Sequence, residues 1–130
     1  MKITRFIATP EGGSKFVTLD IPLPVPFTDE FGNVYSLGEP VSYTGVIAEL
    51  PAGLDQDWHL APSRQFVIVM RGALDVETSD GVIKRFSQGD LFMADDRTGQ
   101  GHRTRIIGDA SLLMFLKVAD EFDAERWVVS

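Results

Sequence analysis

Hydrophobic alternation, broken at short intervals by glycine and proline, constrains this chain more than any other feature. Apolar and polar residues take turns through much of 42–50, 73–78, 82–86 and 102–107, and short, mostly apolar stretches stand at 65–70, 91–94 and 111–118. Between them stand Pro51-Ala52-Gly53, Gly72, Ser79-Asp80-Gly81, Gln88-Gly89-Asp90 and Gly108-Asp109. Turn signals at roughly eight- to twelve-residue intervals between short period-two stretches predict an all-β sandwich or barrel of antiparallel strands. An earlier strand is expected over 16–20, and 29–34 reads as the turn of a short hairpin. Pro22, Pro24 and Pro26 forbid regular ladder pairing, so 21–27 is expected to be an extended edge segment or arm. Only 119–126 offers a helix, with Asp120 near its cap and Phe122 and Trp127 as packing residues.

The 130 residues make one domain, 1–130, large enough to bury a core without covalent help. With no cysteine there is no disulfide, thiol nucleophile or thiolate metal site, which suits a reducing cytoplasm. The net charge of −7 repels phosphate backbones and anionic lipid, and the twelve basic residues are dispersed, so no nucleic-acid or membrane partner is expected. The N-terminus lacks the apolar run of a signal peptide, and apolar runs such as 66–70 are too short to span a bilayer. A cytoplasmic location is the expectation.

Two stretches carry a family resemblance. Gly53, His59 and Gly72 fall on fixed points of the pattern G-x5-H-x-H-x3-E-x6-G, with Ala61 at the second histidine and Gln65 at the glutamate. Gly89, Gly99 and His102 match G-x5-P-x-G-x2-H-x3-N, with Asp95 replacing the proline, Ile106 replacing the asparagine and a short insertion over 95–98. In these residues the chain resembles a small single-domain cupin with degenerate metal-binding motifs. The resemblance covers 53–106 directly. It implies a jelly-roll β-barrel (a double-stranded β-helix) with at most one or two short helices, and a homodimer with strands exchanged or paired across its interface. It also implies that His59, Gln65 and His102 converge inside the barrel. There they would hold one divalent metal ion (iron, manganese, nickel or zinc), and hold it weakly because an amide replaces a carboxylate and an imidazole is missing.

Both histidines of the chain fall on motif positions. An imidazole is also the usual general acid or base near neutral pH, so His59 and His102 are candidates for proton transfer without a metal. Neighbours on a strand face opposite sides, and the family resemblance implies that Gln65 faces inward with Val67 and Val69, leaving Arg64 and Phe66 outward, and that His102 faces inward beside Thr104 and Ile106. Arg103 and Arg105 should then pair on the surface with Asp75 and Glu77. Asp95 and Asp96 lie in the insertion, where a loop at the barrel mouth would offer polar contacts or a base. Tyr43 and Trp58 are candidate pocket walls. Two functions compete. One is an enzyme using metal-assisted or histidine-mediated acid/base chemistry on a small carbonyl or carboxylate metabolite, of isomerase, lyase or oxygenase type. The other is a non-catalytic ligand-binding protein that has lost the metal site.

Overall fold

The computed structural model describes residues 1–129. Ten strands carry the architecture: β1 (Lys2–Ala8), β2 (Ser14–Asp20), β3 (Val25–Thr28), β4 (Val34–Leu37), β5 (Thr44–Leu50), β6 (Asp55–His59), β7 (Gln65–Thr78), β8 (Ile83–Ser87), β9 (Leu91–Asp95) and β10 (His102–Lys117). Eight of them form one sheet in the order β2-β1-β9-β7-β10-β5, with β6 paired to β10 and β8 to β7. The sheet curls on itself. Phe6, Val67, Val69, Leu74, Val76, Phe86, Phe92, Ala94, Ile106 and Leu113 come from five strands and share one buried interior. Such closure lets alternate residues of every strand form a single core.

β7 and β10 are longer than the sequence pattern suggests, because Gly72 and Gly108-Asp109 bend the strands without ending them. Their register slips between Ile107 and Leu112, a bulge opposite Gly72. Gly72 has φ of 90°, and a Cβ there would overlap the Ser111 hydroxyl, so only glycine lets the two strands cross this closely. Period two holds on either side of the bend. Gln65, Val67 and Val69 face the interior. Phe66 faces the opposite side, where it joins Ile3, Leu19, Met93, Val118, Ala124 and Trp127 in a second core under the C-terminal segment.

Two expectations are corrected. The barrel is not purely antiparallel, since β1 and β9 run parallel, from Thr4↔Phe92 to Ile7↔Asp95. The helix expected over 119–126 does not form; a single 3-10 turn, Glu125–Trp127, stands at its end. The segment is held by tertiary contacts instead. Arg64 donates to the carbonyls of Asp120 and Phe122, Val129 N–H donates to the Thr18 carbonyl, and Val128 bridges Leu19. An eight-residue stretch has little helical stability of its own, so such contacts decide its conformation.

The proline-containing arm does pair, contrary to expectation: β3 and β4 form a separate two-stranded hairpin with Pro26 opposite Ser36, and among the described residues its ladder joins no other strand. Asp29 closes its turn by accepting from the Asn33 side chain and from the backbone of Phe31 and Asn33. The Asn33 bonds hold the Asp29 carboxyl below the usual carboxylate range. Among the described residues no helix is long and apolar enough to cross a membrane.

Candidate functional site

The curled sheet encloses a cavity of about 500 Å³, within the usual size of a small-molecule site. It opens beside Val46 and Leu60, both exposed lining residues. His59, Gln65 and His102 all line it, so the three motif positions do converge. The pairing explains how. His102 on β10 stands opposite His59 on β6, and their rings lie 4.3 Å apart between centroids. Gln65 on β7 pairs with Ala94 on β9, which pairs with Phe6 on β1, and the Phe6 ring lies 4.7 Å from that of His102.

Gly101 sets the approach of the two histidines. Its φ is 79°, and a Cβ at this position would overlap the His59 carbonyl, so only glycine lets the chain entering β10 pass so near β6. A bulge adds a residue that alternation does not reveal. His102 and Thr104 face His59 and Gln56, three positions along β6 against two along β10. The extra residue lets both His59 and Gln56 line the cavity. Thr104 lines it beside His102, as the period of β10 predicts, and Ile106 lies in the same core.

The ring nitrogens are sorted by their partners. His59 Nδ1 lies 2.7 Å from the Asp57 carbonyl oxygen, which can only accept, so this nitrogen carries the proton. His102 Nδ1 lies 2.6 Å from Asp96 Oδ2. Asp96 is fully buried, its other carboxylate oxygen has no protein partner, and its backbone carbonyl accepts from Ala61 N–H. A carboxylate so placed fixes the tautomer and orientation of its imidazole. Nε2 is the nitrogen left to each ring, and no side chain or backbone group of the described residues occupies it.

Other candidates fall elsewhere. Asp96 does not line the cavity and meets the site only through His102. Asp95, expected as a pocket residue or base, turns to the opposite side of β9. There its 2 % exposed carboxylate accepts from Arg5 at 2.6 Å, Arg64 at 3.0 Å and Arg97 at 3.1 Å. Arg64 is therefore mostly buried rather than a surface residue. It and Arg97 tie this node to the C-terminal segment through Asp120, and Arg5 does so through Glu125 at 2.8 Å. The 95–101 loop thus does not rim the cavity. Trp58 is half-buried and Tyr43 is 60 % exposed; neither lines the cavity. Arg105 reaches Glu77 at 4.0 Å, as expected, but Arg103 pairs with Asp55, and Asp75 takes Arg85.

A metal is implied by the fold resemblance, and the donor set fits a firmly held one poorly. Two imidazoles and a neutral amide bring no anionic ligand, and the wall beside them is Ala61. Among the described residues no three His, Cys, Asp or Glu side chains gather as a metal site.

No protein-family model matches the sequence, and no curated protein matches it significantly. Solved structures do resemble it. The DMSP lyase DddQ from Ruegeria pomeroyi DSS-3 superposes with a TM-score of 0.51 at 19% identity, over 77% of this chain and 48% of that one. This chain thus spans about half the length of the lyase. The Cnp3 cupin domain of Schizosaccharomyces pombe superposes with a TM-score of 0.51 at 15% identity, over 96% of this chain and 88% of that domain. With the curled sheet and the converging motif positions, these likenesses make the chain a cupin-fold protein.

Proposed function

We propose that the cavity binds a small carbonyl compound and that the histidine pair moves a proton on it without a metal. The carrying observation is that acceptors engage Nδ1 of both rings, which leaves two Nε2 lone pairs at a shared cavity beside Gln65. In this reading the Gln65 amide N–H donates to the carbonyl oxygen, a contact that a glutamate in its place could not make when ionised. His102 Nε2 takes a proton from the carbon next to the carbonyl. The C–H electron pair becomes the new C=C bond, and the carbonyl π pair moves to oxygen as an enolate held by Gln65. Return of the proton to that same carbon, from either face, sends the oxygen pair back into the C=O bond and completes an exchange or an epimerisation. Asp96 stabilises the imidazolium formed on His102, as a buried carboxylate does for a histidine base.

The test is hydrogen–deuterium exchange at the α-carbon of a simple ketone in deuterated buffer with chelator present, followed by proton NMR. The native protein should accelerate exchange, and His102→Ala should lose on the order of 100-fold or more, the usual worth of a positioned base. Binding of the ketone with no accelerated exchange would refute proton transfer and favour the alternative, a non-catalytic ligand-binding protein.

We also propose that the functional unit is a homodimer. The β3–β4 hairpin packs little against its own barrel and exposes Val25, Phe27, Phe31, Val34, Tyr35 and Leu37, Phe31 at 82 %. β5 ends the main sheet with Val46 and Ile47 exposed. An open apolar edge and an unpartnered apolar hairpin are what a two-fold partner would cover. Light scattering at micromolar concentration should give twice the chain mass. A monomer that keeps its fold would contradict this proposal.

A further inference from the structure

The composition of the cavity wall points to a ligand class, an inference that rests on the proposed function. Of the eighteen lining residues only Gln56, His59, Gln65, His102 and Thr104 carry polar side chains, and none is Lys, Arg, Asp or Glu. None of the cations in or beside the motifs reaches the cavity: Arg71 is exposed to solvent, and the others are engaged elsewhere. Arg64 and Arg97 hold Asp95, and Arg103 and Arg105 pair on the outer surface with Asp55. A phosphate, sulfate or carboxylate carried into this barrel would find no guanidinium or ammonium. The ionisable side chains it would meet are His59 and His102, and His102 is already paired with buried Asp96. Burial of an unpaired charge is among the most costly events a protein interior can host. A sugar or other polyol fares little better, because each hydroxyl left without a partner costs about 1–3 kcal/mol. Both Nδ1 atoms are engaged, so the two histidines offer only one free nitrogen each.

The wall instead suits hydrocarbon. Val67, Leu74, Val76, Phe92, Leu113 and Phe115 all line the cavity. We infer that the ligand is uncharged, with an aliphatic or aromatic body and a single carbonyl or hydroxyl head. The body lies against these six residues, and the head meets His59, Gln65 and His102.

The test titrates the full chain, with chelator at pH 8, against 2-octanone, 2-hexanone, octanoate and D-glucose. Calorimetry gives the affinities, and amide NMR shifts give the location. The ketone should bind with shifts confined to the cavity strands. 2-Hexanone should bind roughly 15-fold more weakly, at about fourfold per methylene. Octanoate should bind at least tenfold more weakly than 2-octanone, and glucose should not bind. Octanoate or glucose binding as tightly as the ketone, and losing that binding in His102→Ala and in the conservative His102→Asn, would overturn the ligand class while leaving the proposed function standing. No binding by any probe, or binding that ignores both His102 variants and His59→Ala, would overturn both.

Discussion

Asp95→Ala should be strongly destabilising although it leaves the cavity wall untouched. The native carboxylate is 2 % exposed and accepts hydrogen bonds from three guanidiniums, of which Arg5 is 4 % and Arg64 14 % exposed. Removing it leaves those cations close together without their shared counter-charge. Breaking one partner out of a buried ion pair costs about 3–5 kcal/mol, because the survivor stays desolvated and uncompensated. For a domain of this size that is a fall in melting temperature of roughly 10–20 °C. The loss should be accompanied by release of the C-terminal segment, since Arg5, Arg64 and Arg97 link Asp95 to Glu125, Asp120 and Phe122. Asp75→Ala is the matched control. It breaks only the ion pair with Arg85, whose side chain is 56 % exposed, and should cost less than about 1 kcal/mol. Denaturant titration of both variants measures the contrast. Equal losses would show that Asp95 is no more than one carboxylate among others.

That node was misread in the sequence for a physical reason. Asp95, Asp96 and Arg97 form a short polar run between motif landmarks, which has the composition of a solvated loop. Nothing local reveals that Asp95 ends a strand beside Arg5, ninety positions away. Asp96 and His102, by contrast, are six positions apart. Even so, only the turn through Gly99 and Gly101 places the carboxylate on Nδ1 rather than at the cavity. The legible parts were those set by short periods. Period two places Gln65, Val67 and Val69 on one face and His102 with Thr104 on another, but which face of β7 turns inward came from the resemblance of Gln65 to a motif position, because 66–70 is apolar throughout. Gln56 was hidden because a bulge in β6 changes the phase of the strand, and alternation cannot show where a phase change falls. The parallel contact of β1 with β9 is a long-range pairing that no local pattern encodes.

A metal site should appear when the two departures from the motif are reversed. Ala61 and Gln65 both line the cavity with His59 and His102, so Ala61→His with Gln65→Glu would supply three imidazoles and a carboxylate around one space. The outer contacts such ligands need already exist, because Nδ1 of each native histidine is held by an acceptor. Outer contacts alone are worth ~10–100-fold in metal affinity, so adding two direct ligands, one of them anionic, should raise it by at least about 100-fold. Calorimetric titration with zinc and manganese of both proteins, freed of metal by chelator, gives the comparison. Gln65→Glu alone should fall between them. A native protein that binds either ion as tightly as the double variant would show that two imidazoles and an amide suffice, and would restore a metal to the account of the site.

His59 and His102 turn Nε2 to one cavity while the Asp57 carbonyl and the Asp96 carboxylate engage their Nδ1. Nitrogen-15 NMR of the imidazole rings, recorded at pH 8 with chelator present, reads this directly. Both rings should show the Nδ1–H tautomer and a ketone-induced shift at Nε2, and Asp96→Ala should lose the single tautomer at His102 alone. A proton on Nε2 of either ring in the native protein, or a His102 ring indifferent to the loss of Asp96, would contradict it.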